Sequence, residues 1–181
     1  MTYILIALFI IVIGLVLYTR SKLAGILVVS TPVVILTGWW VLVSNHYFVP
    51  STNLENEAVG EFRLLETLAE DQLDSLGTFE ERKQENGYSY QNEDHLHLST
   101  DEENRILSVS SGESHLEASS GLKVGDRLSK AKALYGDHFY TYQEMGLGEA
   151  TVYVDRENQF LLTLWSKDEM SISSIWLSTI H

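Results

Sequence analysis

The sequence predicts an α+β protein: a two-helix transmembrane hairpin followed by an extracytoplasmic domain of two helix-plus-antiparallel-β-meander repeats. Three observations carry this. Residues 1–44 hold no Asp or Glu and only two charges, Arg20 and Lys22. The other 137 residues hold all 25 acidic side chains against ten basic ones, a net charge of −15. Within that acidic part, two segments 66 positions apart share one alternating pattern without a gap.

The apolar part divides into Tyr3–Tyr18, with 16 uncharged residues, and Leu23–Val43, with 21. At ~1.5 Å of rise per residue these reach about 24 and 31 Å, against a hydrocarbon core of roughly 30 Å. Both runs are apolar all round rather than along one stripe, which sets them apart from the surface helix of a soluble domain. A cleaved signal peptide is the competing reading of the first run, but such peptides carry basic residues before the apolar core. Here they follow it, in "TRSK". Pro32 falls in the first half of the second span, where membrane helices tolerate a kink. Basic loops stay in the cytoplasm, so Arg20 and Lys22 place the N-terminus and the acidic domain outside. Trp39, Trp40, Tyr47 and Phe48 then form an aromatic belt at the outer interface. The expectation is a two-span cell-membrane protein with residues 3–43 in the bilayer.

Residues 45–54 read as a polar linker. Val59, Phe62, Leu65, Leu68, Leu73 and Leu76 recur at steps of mostly three or four, which predicts a helix from Glu55 to Leu76, closed by Gly77. "LHLSTDEENRILSV" (Leu96–Val109) and "LTLWSKDEMSISSI" (Leu162–Ile175) each read as a hairpin, with alternation, a polar turn and β-branched residues. Leu96 falls on Leu162, Ile106 on Ile172 and Val109 on Ile175. A tyrosine-bearing strand precedes each, "YSYQ" and "TVYVD", and a helix ending in glycine precedes each of those. The predicted units are residues 55–109 and 122–181, joined by the Ser- and Gly-rich connector 110–121. Trp165 and Trp176 are the candidate large core anchors.

"GLKVGDRLSKAKALYG" (Gly121–Gly136) is the nearest approach to a phosphate-binding loop, but it lacks the Gly-Lys-Ser/Thr end and follows no strand of a βαβ unit. It reads instead as a helix start, with Asp126 as N-cap, Leu128, Ala131 and Leu134 facing inward, and Gly136 closing the helix.

The run "VGDRLSKAKALYG" (Val124–Gly136) resembles the opening of small helix-plus-three-strand modules, those of β-lactamase inhibitor proteins and of small lipoproteins that assist outer-membrane protein assembly. Extracytoplasmic proteins of Gram-positive bacteria look alike here. The match covers Gly121–Leu177, and Glu55–Val109 less well, because the first copy lacks the Gly–Asp opening and has a longer helix. The resemblance implies a non-enzymatic binding or scaffolding role.

The chain has no cysteine, which excludes disulfides, thiolate zinc sites and a Cys nucleophile. Its acidity repels nucleic acid and anionic headgroups. His95 and His97 form an H-x-H whose period-two spacing puts both imidazoles on one face of a strand. Such a pair can share a transition metal if His115 or a carboxylate completes the set, can titrate near neutral pH, or can simply face solvent. Ser114 beside His115 lacks a nucleophile elbow. No EF-hand loop, zincin helix or dinucleotide fingerprint is present, so no enzymatic activity and no cofactor is expected. "YTYQEMGLGEA" (Tyr140–Ala150) reads as a loop presenting Tyr140, Tyr142 and Met145 to a protein partner, or packing its tyrosines back on the sheet. The function expected is a membrane-anchored binding or scaffolding module for a membrane or envelope protein. The alternative is a sensor of metal, pH or a small ligand.

Overall fold

A computed structural model describes residues 18–44, 48–112 and 114–180. The chain forms two compact units, Met1–Phe48 and Val49–His181.

In the first unit, α1 (Lys22–Ser44) is a 23-residue helix that starts after a turn at Thr19–Arg20. Residues 22–39 are long and apolar enough to cross a membrane. Gly25 is required where it stands, because a Cβ there would lie 2.4 Å from the Tyr18 backbone. Thr31 and Ser30 return their hydroxyls to the Leu27 carbonyl, at 2.7 and 3.1 Å. That satisfies two polar side chains inside an apolar helix, just ahead of Pro32. The expected two-helix hairpin is overturned: among the described residues there is one candidate span, and it lies near the N-terminus, where a signal sequence passes the same test. The two-span topology and the orientation drawn from it fall with the hairpin. The first expected span, apart from Tyr18, lies outside the described residues.

The second unit is mainly one antiparallel sheet. Two short strands, β1 (Ala58–Val59) and β2 (Phe62–Arg63), form a hairpin. Helix α2 (Glu70–Asp74) follows. Then come β3 (Glu80–Gln84), β4 (Gly87–Gln91), β5 (His97–Thr100) and β6 (Ile106–Ser110). Helix α3 (Leu128–Tyr135) leads to β7 (Tyr140–Glu144), β8 (Gly148–Asp155), β9 (Phe160–Ser166) and β10 (Ser174–Thr179). The sheet order is β3-β4-β5-β6-β10-β9-β8-β7: two four-stranded meanders joined where β6 pairs with β10. Each meander enters its second strand through a glycine at positive φ, Gly87 and Gly148. A Cβ at either would strike a carbonyl of the neighbouring strand, of Thr100 or Ser166, within 2.2 Å.

The α+β expectation is therefore corrected to a predominantly β unit. Each meander has a strand more than expected, since β3 and β7 come from segments read as a polar run and a loop. The helix predicted over Glu55–Leu76 is largely replaced by the β1–β2 hairpin. Gly60 takes φ +61 at its turn and Leu65 takes φ +65, so the three- and four-residue steps are those of a folded arch, not of a helix. Glycine is a poor interior helix residue and a good turn residue. The arch still buries Leu54, Val59, Phe62, Leu64 and Leu68.

Pairing register assigns the faces, because residues directly opposite each other share a side of the sheet. Leu98, Val109, Leu177, Leu162, Leu164, Ile175 and Tyr153 fall on one face and belong to the main core. Leu122, Leu128, Ala131 and Ile172 complete that core, together with the arch. Helix α3 starts one residue later than the sequence implied. Arg127 occupies the N-cap position, and Asp126 accepts instead from the Lys123 N–H at 3.0 Å and from Lys130 Nζ at 2.7 Å. The Lys130 hydrogen bond, reinforced by the Lys123 N–H, holds the Asp126 carboxyl below the usual carboxylate range.

Candidate functional site

The second face of the sheet holds the sequence-marked His97, Tyr140 and Tyr142. The same register puts Ser89, Gln91, His97, Ser99, Ser108 and Ser110 on it, then Trp176, Ser178, Thr163 and Trp165, then Tyr140 and Tyr142. Across β4, β5, β6 and β10 the face carries mainly hydroxyls, with the Gln91 amide, the His97 imidazole and the Trp176 indole among them. Across β9, β8 and β7 it turns aromatic and aliphatic.

The aromatic half is a continuous row. Tyr140 and Tyr142 stack at 6.2 Å between centroids, Tyr142 meets Trp165 edge-on at 5.5 Å, and Trp165 meets Trp176 at 5.5 Å and 66°. Trp165 is buried, with Ala150 and Val152 around it, whereas Tyr142 is 41 % and Trp176 38 % exposed. So Trp165 is an anchor, though of this face rather than of the main core, and Trp176 is corrected from core anchor to partly exposed surface. Burial raises the Tyr140 and Tyr142 hydroxyls above the ordinary phenol range, helped by Tyr142 beside the first and Glu144 beside the second. Both tyrosines sit on strand β7, not in a loop, and Met145 is 99 % exposed at the tip of the β7–β8 hairpin.

In the hydroxyl half a cavity of about 410 Å³ is lined by Gln91, His95, His97, Ser108, Ser110, Trp176 and Ser178. Register builds it: Gln91 lies opposite His97, His97 opposite Ser110, Ser110 opposite Trp176, and Ser108 opposite Ser178. His97 Nε2 is 2.8 Å from Ser89 Oγ, which fixes the ring. Ser89 is itself buried, so the pair is a structural hydrogen bond and not an accessible nucleophile with its base. Burial lowers the His97 pKa from its ordinary value and favours the neutral ring. Ser99 and Ser108 share a hydrogen bond of 2.6 Å, and Trp176 donates Nε1–H to Ser174 Oγ at 3.0 Å.

The H-x-H pair is not on one strand. His95 ends a turn at φ +58, with its N–H bonded to the Asn92 carbonyl, and His97 opens β5. Both border the same cavity, but among the described residues no group of three or more His, Asp or Glu side chains is placed to hold a metal. His115 is exposed and lines no part of this cavity. Of the expected interfacial aromatics, Trp39 and Phe48 are exposed, while the Trp40 side chain and Tyr47 lie outside the described residues. Arg20 lies in the turn before α1, and Lys22 is its first residue.

A larger cavity, about 610 Å³, opens beside the α3 N-terminus among Arg127, Lys132, Glu149, Asp168 and Met170. Its charges are mixed. Asp168 is committed to the Ser171 hydroxyl and to the N–H groups of Ser171 and Met170, which hold its carboxyl far below the usual range. Lys132 lies 4.9 Å from the Phe139 ring centre.

The cavity-lining residues that the sequence did not mark are Gln91, Ser108, Ser110 and Ser178, and Trp176 was marked only as a core anchor. Their signal was present as alternating serines, "SVS" in β6 and "SIWLS" in β10. The pairings β4–β5, β5–β6 and β6–β10 bring them together.

No family model matches the chain, and no curated protein matches it. Among solved structures, a cysteine-rich secretory protein from Staphylococcus aureus is similar at 17% identity and a TM-score of 0.29. The similarity covers 56% of this chain and 35% of that one, so the chain spans about a third of that protein.

Proposed function

We propose that this chain is a non-enzymatic binding module, held at a membrane by α1, that contacts a protein or cell-envelope partner through the second face of its sheet. The row Tyr140–Tyr142–Trp165–Trp176 carries the reading. It is an aromatic surface partly open to solvent, held rigid by its own edge contacts, in a unit whose surface is otherwise strongly acidic. Rigid amphipathic rings give contact area at little cost in conformational freedom, which is why they dominate binding surfaces. Met145, fully exposed at the adjoining hairpin tip, extends that surface with a side chain that adapts to a partner. The resemblance of Val124–Gly136 to inhibitor and assembly modules points the same way.

A photo-crosslinking residue placed at Tyr142 or Met145 in native membranes is expected to form a discrete adduct. The same residue at Lys83, on the opposite edge strand β3, is not. Adducts at none of the three positions, or equally at all of them, overturn the reading. A second reading, response to acidity, is favoured by one observation: His97 is half-buried, fixed by Ser89, and disfavoured in its charged form.

A further inference from the structure

We propose that the cavity between Gln91, His97 and Trp176 binds an uncharged saccharide. The inference rests on reading the second face as a binding surface, and names the ligand chemistry of its hydroxyl half.

A pyranose presents an apolar C–H face and a rim of hydroxyls, each both donor and acceptor. The cavity offers the complement. Trp176 supplies an indole on its border, and its orientation is set without any ligand by the Nε1–H bond to Ser174 and the edge contact with Trp165. Such preorganisation lowers the cost of binding. Around it stand neutral groups able to donate and accept: the Gln91 amide and the Ser108, Ser110 and Ser178 hydroxyls. The Gln91 amide and the Ser178 hydroxyl have no protein hydrogen-bond partner among the described residues, and Ser110 has only a long 3.5 Å contact with Ser174. These groups are free to turn to a ligand.

Charge decides the class. Residues 45–181 contain 35 charged side chains, yet no Asp, Glu, Lys or Arg lines this cavity. Of the two imidazoles on its border, burial disfavours the charged form of His97. A phosphate or carboxylate would find no Lys or Arg here and would meet the field of an acidic domain. At about 410 Å³ the space lies in the ~300–1,000 Å³ range of small-ligand sites and admits a sugar or two.

Isothermal titration calorimetry on the full chain in a polyoxyethylene detergent tests this; glucoside and maltoside detergents are themselves uncharged saccharides and would compete. At least one of maltotriose, cellotriose and chitotriose is expected to bind saturably, and trigalacturonate is not. Trp176→Ala and Gln91→Ala are each expected to weaken binding about tenfold. Lys83→Ala, on the far edge strand β3 and outside the cavity, leaves it unchanged. Gln91 is solvent-exposed on β4, so its variant stays folded if Trp176→Ala does not. Three results overturn the proposal: no heat from any neutral trisaccharide up to about 10 mM, equal binding of trigalacturonate, or wild-type affinity in every cavity variant that folds. Site-specific adducts at Tyr142 and Met145 without saccharide binding would end this inference and leave the binding module standing.

Discussion

The carboxylate of Asp155, buried at the end of β8, accepts the backbone N–H of Leu54 at 2.7 Å across 101 positions of sequence. The same side chain accepts from the N–H groups of Glu157 and Asn158 and from the Asn158 amide, at 2.9–3.1 Å. One residue thus closes the β8–β9 turn and ties down the segment that brings Leu54 into the core. Burial alone would raise its carboxyl pKa, but the hydrogen bonds from Asn158, Leu54 and Glu157 outweigh that and hold it below the usual range.

Asp155→Ala strands those donors in a buried place and is expected to destabilise the second unit by about 2–4 kcal/mol. Asp155→Asn, which keeps an acceptor, costs less. Chemical denaturation monitored by tryptophan fluorescence reads both. The sign with pH follows from the depressed folded value: the contribution is complete above the unfolded carboxylate pKa of ~3.9 and is lost as pH falls through the lower folded one. An Asp155→Ala chain as stable as the parent would show that Leu54 is held by packing alone.

Alternation in Leu96–Val109 and Leu162–Ile175 was legible because each strand has one face on the main core, and the pairs β5–β6 and β9–β10 run there. β3 was not legible. "EERKQ" is exposed at every position, as suits an edge strand that charges protect, and it has no apolar pattern to betray it. β7 escaped for a related reason, its tyrosines belonging to the second face and not to the main core. The segment 55–76 misled because an arch that returns a side chain to the core every third or fourth residue imitates a helix. The cavity was hidden most deeply. Ser110 and Trp176 are 66 positions apart, and no local pattern states that β6 will pair with β10.

His97 makes the second unit sensitive to acid in a separate window. Its folded pKa is depressed by burial, so the folded state takes up its proton less readily than the unfolded chain. The stability this confers is present above the unfolded value of ~6.5 and is lost as pH falls through the lower folded value. The other described histidines, His95, His115 and His138, are exposed. The melting temperature is therefore expected to decline between about pH 7.5 and 5, and His97→Gln is expected to remove most of that decline while keeping a polar group near Ser89. A slope in the variant equal to that of the parent would place the acid sensitivity elsewhere.

The helix α1 exposes Leu23, Ile26, Leu27, Val33, Val34, Ile35 and Leu36. So much apolar surface is costly in water, at roughly 25 cal/mol per Å², and is relieved in a bilayer. The full chain is expected to stay in the pellet when membranes are washed with alkaline carbonate, and to leave it only with detergent. Val33→Arg with Leu36→Arg puts two charges mid-helix, at about 2.5–3.5 kcal/mol each on insertion scales, and is expected to release the chain to the supernatant. Intact mass separates a tether from a signal sequence. A mature chain that still contains Lys22–Ser44 is anchored by it, whereas one that starts beyond Ser44 would have shed the helix, and the proposed binding face would then act free of the membrane.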